Sequence, residues 1–264
     1  MIRIENDEPF RWLRTSLDRT TGGDDPNWRG NFVSHVLPKG YAAYCKIFHP
    51  IYVDSAIKDR GLSWNQAPEA QSRLDAMSAE IRSVLANGVF VRGSSDQSVS
   101  GEGVTWRELA RQLKLVYHPA LSEAALRRAF AMEGSWPRYL LGPYEGTLDV
   151  QTCEALVDIL GPFTGATECF FRYSDFWKPG EPYLYSGRLD ELPALVEAQD
   201  GWSPEYWWLS NQAWCVCTDW DLLFTLVAGP ESLIRPCQEN CALECIQVEI
   251  QTRIDNLSDE VNTP

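Results

Sequence analysis

The sequence has few of the residues and patterns that carry enzyme chemistry or direct a chain to a membrane. Among its 264 residues there are three histidines, no Gly-x-Ser-x-Gly nucleophile motif and no phosphate-binding glycine loop. Its apolar runs fall far short of the roughly 20 residues that cross a bilayer. Residues 1–10 carry acids where a secretory signal would be basic and then apolar. We therefore expect a cytoplasmic protein without a membrane-spanning segment.

Positive charge is scarce, and it is scarcest in the last third of the chain. The whole sequence has 37 acids and 23 bases, for a formal net charge of −14. Residues 1–180 contain 22 acids and 20 bases, whereas residues 181–264 contain 15 acids and only three bases. An acidic chain repels phosphate backbones and anionic lipids, so we predict neither a nucleic acid nor a membrane as partner. Among charged partners, this leaves one that is itself basic.

The acidic third also contains a cluster of tryptophans, with five of the eleven between residues 202 and 220. Two interpretations fit this cluster. The indoles can fill a core, as most large aromatic side chains do, while the acids form a solvated face. Alternatively, indoles and acids together can form a surface for a basic protein or a sugar. On the second interpretation the candidate binding residues are Trp207, Trp208, Trp214, Trp220, Asp219 and Asp221, with His118 added because it follows a predicted helix.

Two patterns raise the question of a metal. Asp219-Trp220-Asp221 follows an apolar stretch, as does the Asp-x-Asp motif with which nucleotide-sugar glycosyltransferases hold a divalent ion. The thiols of Cys237, Cys241 and Cys245 are spaced by four, but the last of them adjoins a predicted strand, so the three do not share one helix face. Close Cys-x-x-Cys pairs are absent from the sequence. We predict no thiol-bound metal and no cofactor.

The order of predicted elements favours an α+β fold, in which a helical N-terminal portion packs against a mixed or antiparallel sheet built mainly from residues after 165. Helices are predicted at 41–48, 69–86, 105–115, 122–131 and 149–160 from apolar spacing and from capping residues. Strands are predicted at 167–173, 182–185, 214–218, 224–227 and 246–250, with helices at 189–198 and after 231. Residues 92–103 are predicted to be a mobile loop because they are rich in Ser and Gly.

A resemblance extends over most of the chain. Its residues, in order, are Leu37-Pro38, Tyr44, Phe48-His49-Pro50, Val104-Thr105-Trp106, His118-Pro119, Cys169-Phe170-Phe171, Trp207-Trp208, Trp214-Cys215-Val216 and Ser258 to Asn262. In this order they resemble a family of soluble bacterial proteins of unassigned function, common in actinobacteria. The resemblance implies a single domain over 1–264, with 51–103 as an insertion, and it implies no activity. A fainter similarity, carried by Leu-Pro before an aromatic-rich segment, is to bacterial toxin-neutralising immunity proteins.

These observations favour a non-enzymatic binding protein that docks a basic protein partner on its acidic, tryptophan-rich C-terminal surface. An immunity-like role is one form of this hypothesis. The alternative is a metal-dependent enzyme that acts on a sugar or nucleotide-sugar through Asp219 and Asp221. The sequence leaves the oligomeric state open.

Overall fold

The computed structural model describes residues 1–18, 29–64, 102–130, 136–143, 145–173 and 183–262. The chain divides into two compact units, the first formed by Met1–His49 and Glu145–Ser258 and the second by Pro50–Tyr144 and Asp259–Pro264. The predicted helix at 69–86 and most of the loop predicted at 92–103 lie outside the described residues. The single domain and the insertion at 51–103 stay predictions.

The described residues contain eleven strands and six α-helices. The strands are β1 (Ile2–Ile4), β2 (Ala43–Phe48), β3 (Ile51–Val53), β4 (Glu102–Val104), β5 (Leu140–Leu141), β6 (Cys169–Tyr173), β7 (Tyr183–Gly187), β8 (Tyr206–Leu209), β9 (Cys215–Cys217), β10 (Phe224–Gly229) and β11 (Glu244–Val248). The helices are α1 (Glu8–Ser16), α2 (Trp106–Gln112), α3 (Glu123–Phe130), α4 (Val150–Thr164), α5 (Leu192–Ala198) and α6 (Glu231–Glu239).

The first unit is built on an antiparallel sheet of eight strands in the order β1-β7-β6-β8-β9-β10-β2-β11 among the described residues. The second unit has a three-stranded antiparallel sheet in the order β4-β3-β5. The predicted fold class is therefore wrong. The described chain is dominated by sheet, its strands begin at Ile2 and continue to Val248, and its helices are not gathered in the N-terminal portion.

The helix predicted at 41–48 is strand β2, and the cause of the error is its complete burial. Every residue of β2 is buried. A strand covered on both faces has no polar positions with period two, so its apolar residues also match helical spacing. β2 lies between β10 and β11, and it pairs with Phe224–Gly229 along its whole length.

Helix starts were predicted correctly where a capping side chain marks them. The Thr105 hydroxyl accepts the Glu108 amide at 3.1 Å before α2. Asp149 Oδ1 accepts the Thr152 amide at 3.0 Å before α4. The predicted end of α4 is wrong, because the helix continues past Pro162 to Thr164.

Both faces of the sheet are covered at its central strands, since every residue of β8, β9, β10 and β2 is buried. One face packs against α4, α5 and α6 and includes Leu156, Leu192 and Ile234 in its core. On the opposite face, the Phe10 and Trp12 rings of α1 lie 6.0 and 6.5 Å from the Trp208 ring. We call the first side the helix-covered face.

The second unit has a core of its own. Its helix α2 buries Trp106 and Leu109, and α3 buries Leu126. The fully buried Trp136 lies edge-on to the Phe130 ring at 5.4 Å between ring centres. Trp106 and Trp136 are thus two of the largest fully buried side chains among the described residues.

A buried hydrogen bond joins the Trp214 indole to α4, and removing it tests how this helix packs on the sheet. Trp214 Nε1 donates to Thr164 Oγ1 at 3.2 Å, and that hydroxyl donates to the Leu160 carbonyl at 2.8 Å. Thr164→Val leaves the indole N–H without an acceptor, so we expect a loss of about 1–3 kcal/mol of unfolding free energy. Urea denaturation measures this loss. In a Trp214→Phe background, which lacks the indole N–H, Thr164→Val should cost less unfolding free energy. Thr167→Val, at a half-buried position, is the control. An equal loss in both backgrounds would contradict the hydrogen bond.

Candidate functional site

Three of the four candidate tryptophans lie in the core. Trp207, Trp208 and Trp214 are at most 1% exposed. Trp207 and Trp208 are neighbours on β8, so their side chains point to opposite faces of the sheet, and both faces are covered. Trp207 and Trp214 lie together on the helix-covered face, with their rings 6.2 Å apart. The predicted surface therefore retains only Trp220, Asp219 and Asp221.

These three residues form the turn that joins β9 to β10, and we call residues 219–221 the acidic turn. Asp219 and Trp220 are half-buried, and Asp221 is exposed. Asp219 Oδ1 accepts the Asp221 amide at 3.0 Å, and the Asp219 carbonyl accepts the Leu222 amide at 3.0 Å. An aspartate that bonds the amide two residues later is a common device for fixing a tight turn. The two aspartates thus precede and follow a half-buried tryptophan in the turn.

The acidic turn is seated against Gly146. The Gly146 amide donates to the Leu222 carbonyl at 3.1 Å. Gly146 has a φ of +68°, and a Cβ at this position would lie 2.6 Å from the Trp220 Cα. Only glycine accommodates both the left-handed backbone and so close an approach. The backbone of Trp220 is therefore held in place by a segment remote in sequence.

Burial raises the pKa of both carboxyl groups of the acidic turn. Burial raises the pKa of Asp219, and the hydrogen bond from the Asp221 amide offsets part of that rise. Burial and the charge of Asp219 raise the pKa of Asp221. Within the described residues neither carboxylate takes part in a salt bridge, whereas the nearby Glu205 pairs with Arg172 at 2.7 Å.

The chemistry of the acidic turn also bears on the alternative of a metal-dependent enzyme. Hard divalent ions take six or more oxygen ligands, and carboxylates are among the preferred ones. One of the four carboxylate oxygens, Asp219 Oδ1, already accepts an amide. Over the described ranges no three His, Cys, Asp or Glu side chains are grouped so that they could hold an ion. The alternative of a metal-dependent enzyme that acts on a sugar or nucleotide-sugar stays a prediction.

His118 belongs to the second unit, where it binds the C-terminal segment. Its Nε2 lies 2.9 Å from Oδ1 of the buried Asp259. The same carboxylate accepts the Asn262 amide and side chain, each at 2.8 Å. Asn262 exchanges two hydrogen bonds with the backbone of Val116, at 2.8 and 2.9 Å. The ring of His118 thus ties residues 116–118 to residues 259–262, a contact that sequence spacing could not reveal.

Comparison with known proteins gives no relative: no family model matches the chain, and neither a curated protein nor a solved structure matches it. The resemblance to the actinobacterial family accordingly stays a prediction. Among the described residues no helix has the length and apolar character needed to span a membrane.

Asp259 provides a test of the His118 contact. Burial alone would raise the pKa of Asp259, but the hydrogen bonds from Asn262 and His118 together hold it below its usual value. A lowered pKa stabilises the fold above the ordinary carboxyl pKa, and this contribution disappears as the pH falls through the folded-state value. We expect Asp259→Asn to cost about 1–3 kcal/mol at pH 7, and we expect a smaller cost near pH 3. Urea denaturation at pH 7 and at pH 3 measures both costs, and Glu102→Gln, at an exposed position, is the control. A loss of unfolding free energy that is the same at both pH values would contradict the His118–Asp259 contact.

Asp219 should behave in the opposite way. Its raised pKa means that folding favours the protonated form, so the fold loses stability as the pH rises from the ordinary carboxyl pKa through the folded-state value. Asp219→Asn keeps the acceptor for the Asp221 amide and removes the charge. We expect this variant to have a larger free energy of unfolding than the wild type at pH 7 and to lose that advantage near pH 3. A less stable Asp219→Asn at pH 7 would show that the carboxylate is needed for the fold.

Proposed function

We propose that this chain is a non-enzymatic binding protein that docks a basic protein partner through the acidic turn. The observation that carries the proposal is the turn itself: two carboxylates flank a half-buried indole, and within the described residues no cation forms a salt bridge with either. A carboxylate kept in a partly desolvated position costs stability, and such costs are typical of residues that serve binding.

The charge around the acidic turn supports a basic partner. The described residues 183–262 contain 14 acids and three arginines. Two of these arginines are already in ion pairs, Arg188 with Asp190 and Arg253 with Asp255, each at 2.7 Å. The net negative field of this segment would steer a positively charged surface towards it and would repel an acidic one.

Trp220 supports a protein as that partner. Tryptophan is enriched among the residues that contribute most to protein–protein affinity, since a large rigid ring buries much area at a small entropic cost. The backbone of Trp220 is fixed by Gly146, so the loss of backbone entropy on binding is small. An immunity-like role, in which an acidic surface covers a basic toxin, is the form of the proposal that we favour.

We place this function in the cytoplasm. All eight cysteines lie in the described residues and are free thiols, and free thiols persist in reducing compartments.

The proposal is tested by capture with matched charge variants. The full chain is immobilised and exposed to a lysate of its native cell, and the retained basic protein is then purified and titrated in solution. We expect Asp219→Asn/Asp221→Asn to weaken its binding at least about tenfold, because the variant removes both carboxylates that face it. Trp220→Ala should weaken it to a similar extent.

The control is Glu231→Gln/Glu239→Gln, which makes the same change of net charge at two exposed positions of α6. This variant should bind nearly as well as the wild type. Equal weakening by both double variants would indicate a non-specific charge effect. The absence of any retained basic protein, or unchanged binding by the acidic-turn variants, would overturn the proposal.

A further inference from the structure

The eight-stranded sheet ends at β11, and the outer side of this strand pairs with no other strand of the described chain. Along its whole length β11 pairs with β2 alone. On the other side of β2, the His49 amide donates to the Leu223 carbonyl just before β10. Since hydrogen bonds of a central antiparallel strand alternate between its two neighbours, every second residue of β2 from Phe48 bonds to β11. The amides and carbonyls of Cys245 and Gln247 consequently point away from the sheet.

β11 also lacks the devices that commonly protect the edge of a sheet. Lysine, proline or a bulge in an edge strand hinders the pairing of a further strand. The three central residues of β11, Cys245 to Gln247, are uncharged and include no proline, and the strand pairs with β2 without a bulge. The opposite edge of the described sheet, β1, is shorter and carries Arg3 at its centre. Of these two edges, β11 is therefore the one better suited to accept a strand.

A groove lies beside this edge on the helix-covered face. It has a volume of about 510 Å³ and lies between α6 and the strands β2 and β11. The buried Ala43 and Ile234 line it, together with the exposed polar side chains of Arg235, Gln238 and Gln247. A strand paired with β11 would turn every second side chain towards this groove. The edge thus offers backbone hydrogen bonds for affinity, and the groove offers contacts for selectivity.

The charges around β11 indicate a basic occupant. Residues 231–249 contain four glutamates and a single base, Arg235. Glu249 directly follows β11, and Glu239 ends α6 shortly before β11 begins; both side chains are exposed. An extended segment with a basic residue at each end would place positive charge near both carboxylates. A second copy of this chain would bring the same glutamates to the edge, so charge repulsion disfavours it.

We propose that β11 and the adjoining groove bind an extended basic peptide segment, which adds to the sheet as a ninth, antiparallel strand. Its backbone bonds to the amides and carbonyls of Cys245 and Gln247, and the side chains opposite these two residues enter the groove. The groove lies at the Ala43 end of β2, whereas the acidic turn precedes the residue that pairs with Phe48 at the other end. The site is therefore separate from the acidic turn and independent of the function proposed for it.

The test uses an array of synthetic peptides Lys-Thr-X-Thr-X-Thr-Lys, in which each X is varied over the natural amino acids. The array is probed with the full chain, and the tightest peptide is then titrated by fluorescence anisotropy. Its affinity should fall at least about tenfold when both lysines are replaced by glutamates, because these would face the acids around β11. Absence of binding by every peptide, or equal binding of the glutamate form, would overturn the proposal.

Matched charge variants of the chain place the peptide. Glu239→Gln/Glu249→Gln should weaken the lysine peptide several-fold. Asp219→Asn/Asp221→Asn makes the same change of net charge at the acidic turn and should leave the affinity for this peptide unchanged. Equal weakening by the two double variants would show a non-specific charge effect and would sink the assignment to β11, whatever the outcome for the acidic turn.

Backbone methylation of the peptide distinguishes strand addition from a loose contact between charges. Only every second amide of an antiparallel strand faces its neighbour, and in the proposed register these are the amides of the two X residues. Methylation of both should weaken binding at least about tenfold, because it removes two hydrogen bonds. Methylation of two threonine amides, which point away from β11, should change the affinity little. Equal effects of the two modifications would contradict strand addition.

Amide hydrogen exchange, followed by NMR, locates the added strand on the chain. The amides of Cys245 and Gln247 should exchange more slowly in the complex, since the peptide supplies their acceptors. The amides of β1, at the opposite edge, are the internal control and should not change. Protection of β1 in place of β11 would overturn the proposal. So would slow exchange of Cys245 and Gln247 in a free chain that is dimeric by light scattering, because a second copy would then occupy the edge.

Discussion

Burial of both faces of the four adjacent strands β8, β9, β10 and β2 is the constraint on which the rest of the first unit depends. Every residue in these strands is buried. A fully buried large apolar side chain stabilises a fold by about 1.5–3 kcal/mol, so aromatic residues here strongly favour the folded state. The constraint extends to Lys46, whose Nζ lies 4.5 and 4.6 Å from the ring centres of Phe48 and Phe224. Cation–π contacts of this kind reduce the cost of burying an ammonium group.

The same constraint decides where the acidic charge can lie. With both faces of the central strands covered, carboxylates are confined to turns, helix surfaces and strand ends. The turn between β9 and β10 is one such place, and there Trp220 is joined to the sheet by the two strands that it connects. The acidic turn thus combines a fixed backbone with charge that no described cation neutralises through a salt bridge. The sheet supplies the rigidity of the proposed binding surface, while the scarcity of basic residues leaves it charged.

Local signals in the sequence predicted local structure well. The hairpin of β9 and β10 and the caps Thr105 and Asp149 were all predicted from neighbouring residues. β2 could not be predicted in this way, since its identity depends on partners some 180 residues away and its complete burial removes the alternation typical of strands. The candidate site was predicted in part. Trp220, Asp219 and Asp221 lie together in one turn. Trp207 and Trp208, in contrast, point to opposite faces of the sheet and are both buried, which composition alone cannot reveal.

Among the five clustered tryptophans in the acidic third of the chain, only those outside the buried strand layer can meet a partner. Oxidative footprinting of the native chain, resolved by peptide mass spectrometry, tests this claim most directly. We expect oxidation at the half-buried Trp202 and Trp220, and protection of the buried Trp207, Trp208 and Trp214 until the chain unfolds. Labelling of Trp207, Trp208 or Trp214 in the native chain at the rate of Trp220 would contradict both the covered sheet and the binding surface assigned to its turn.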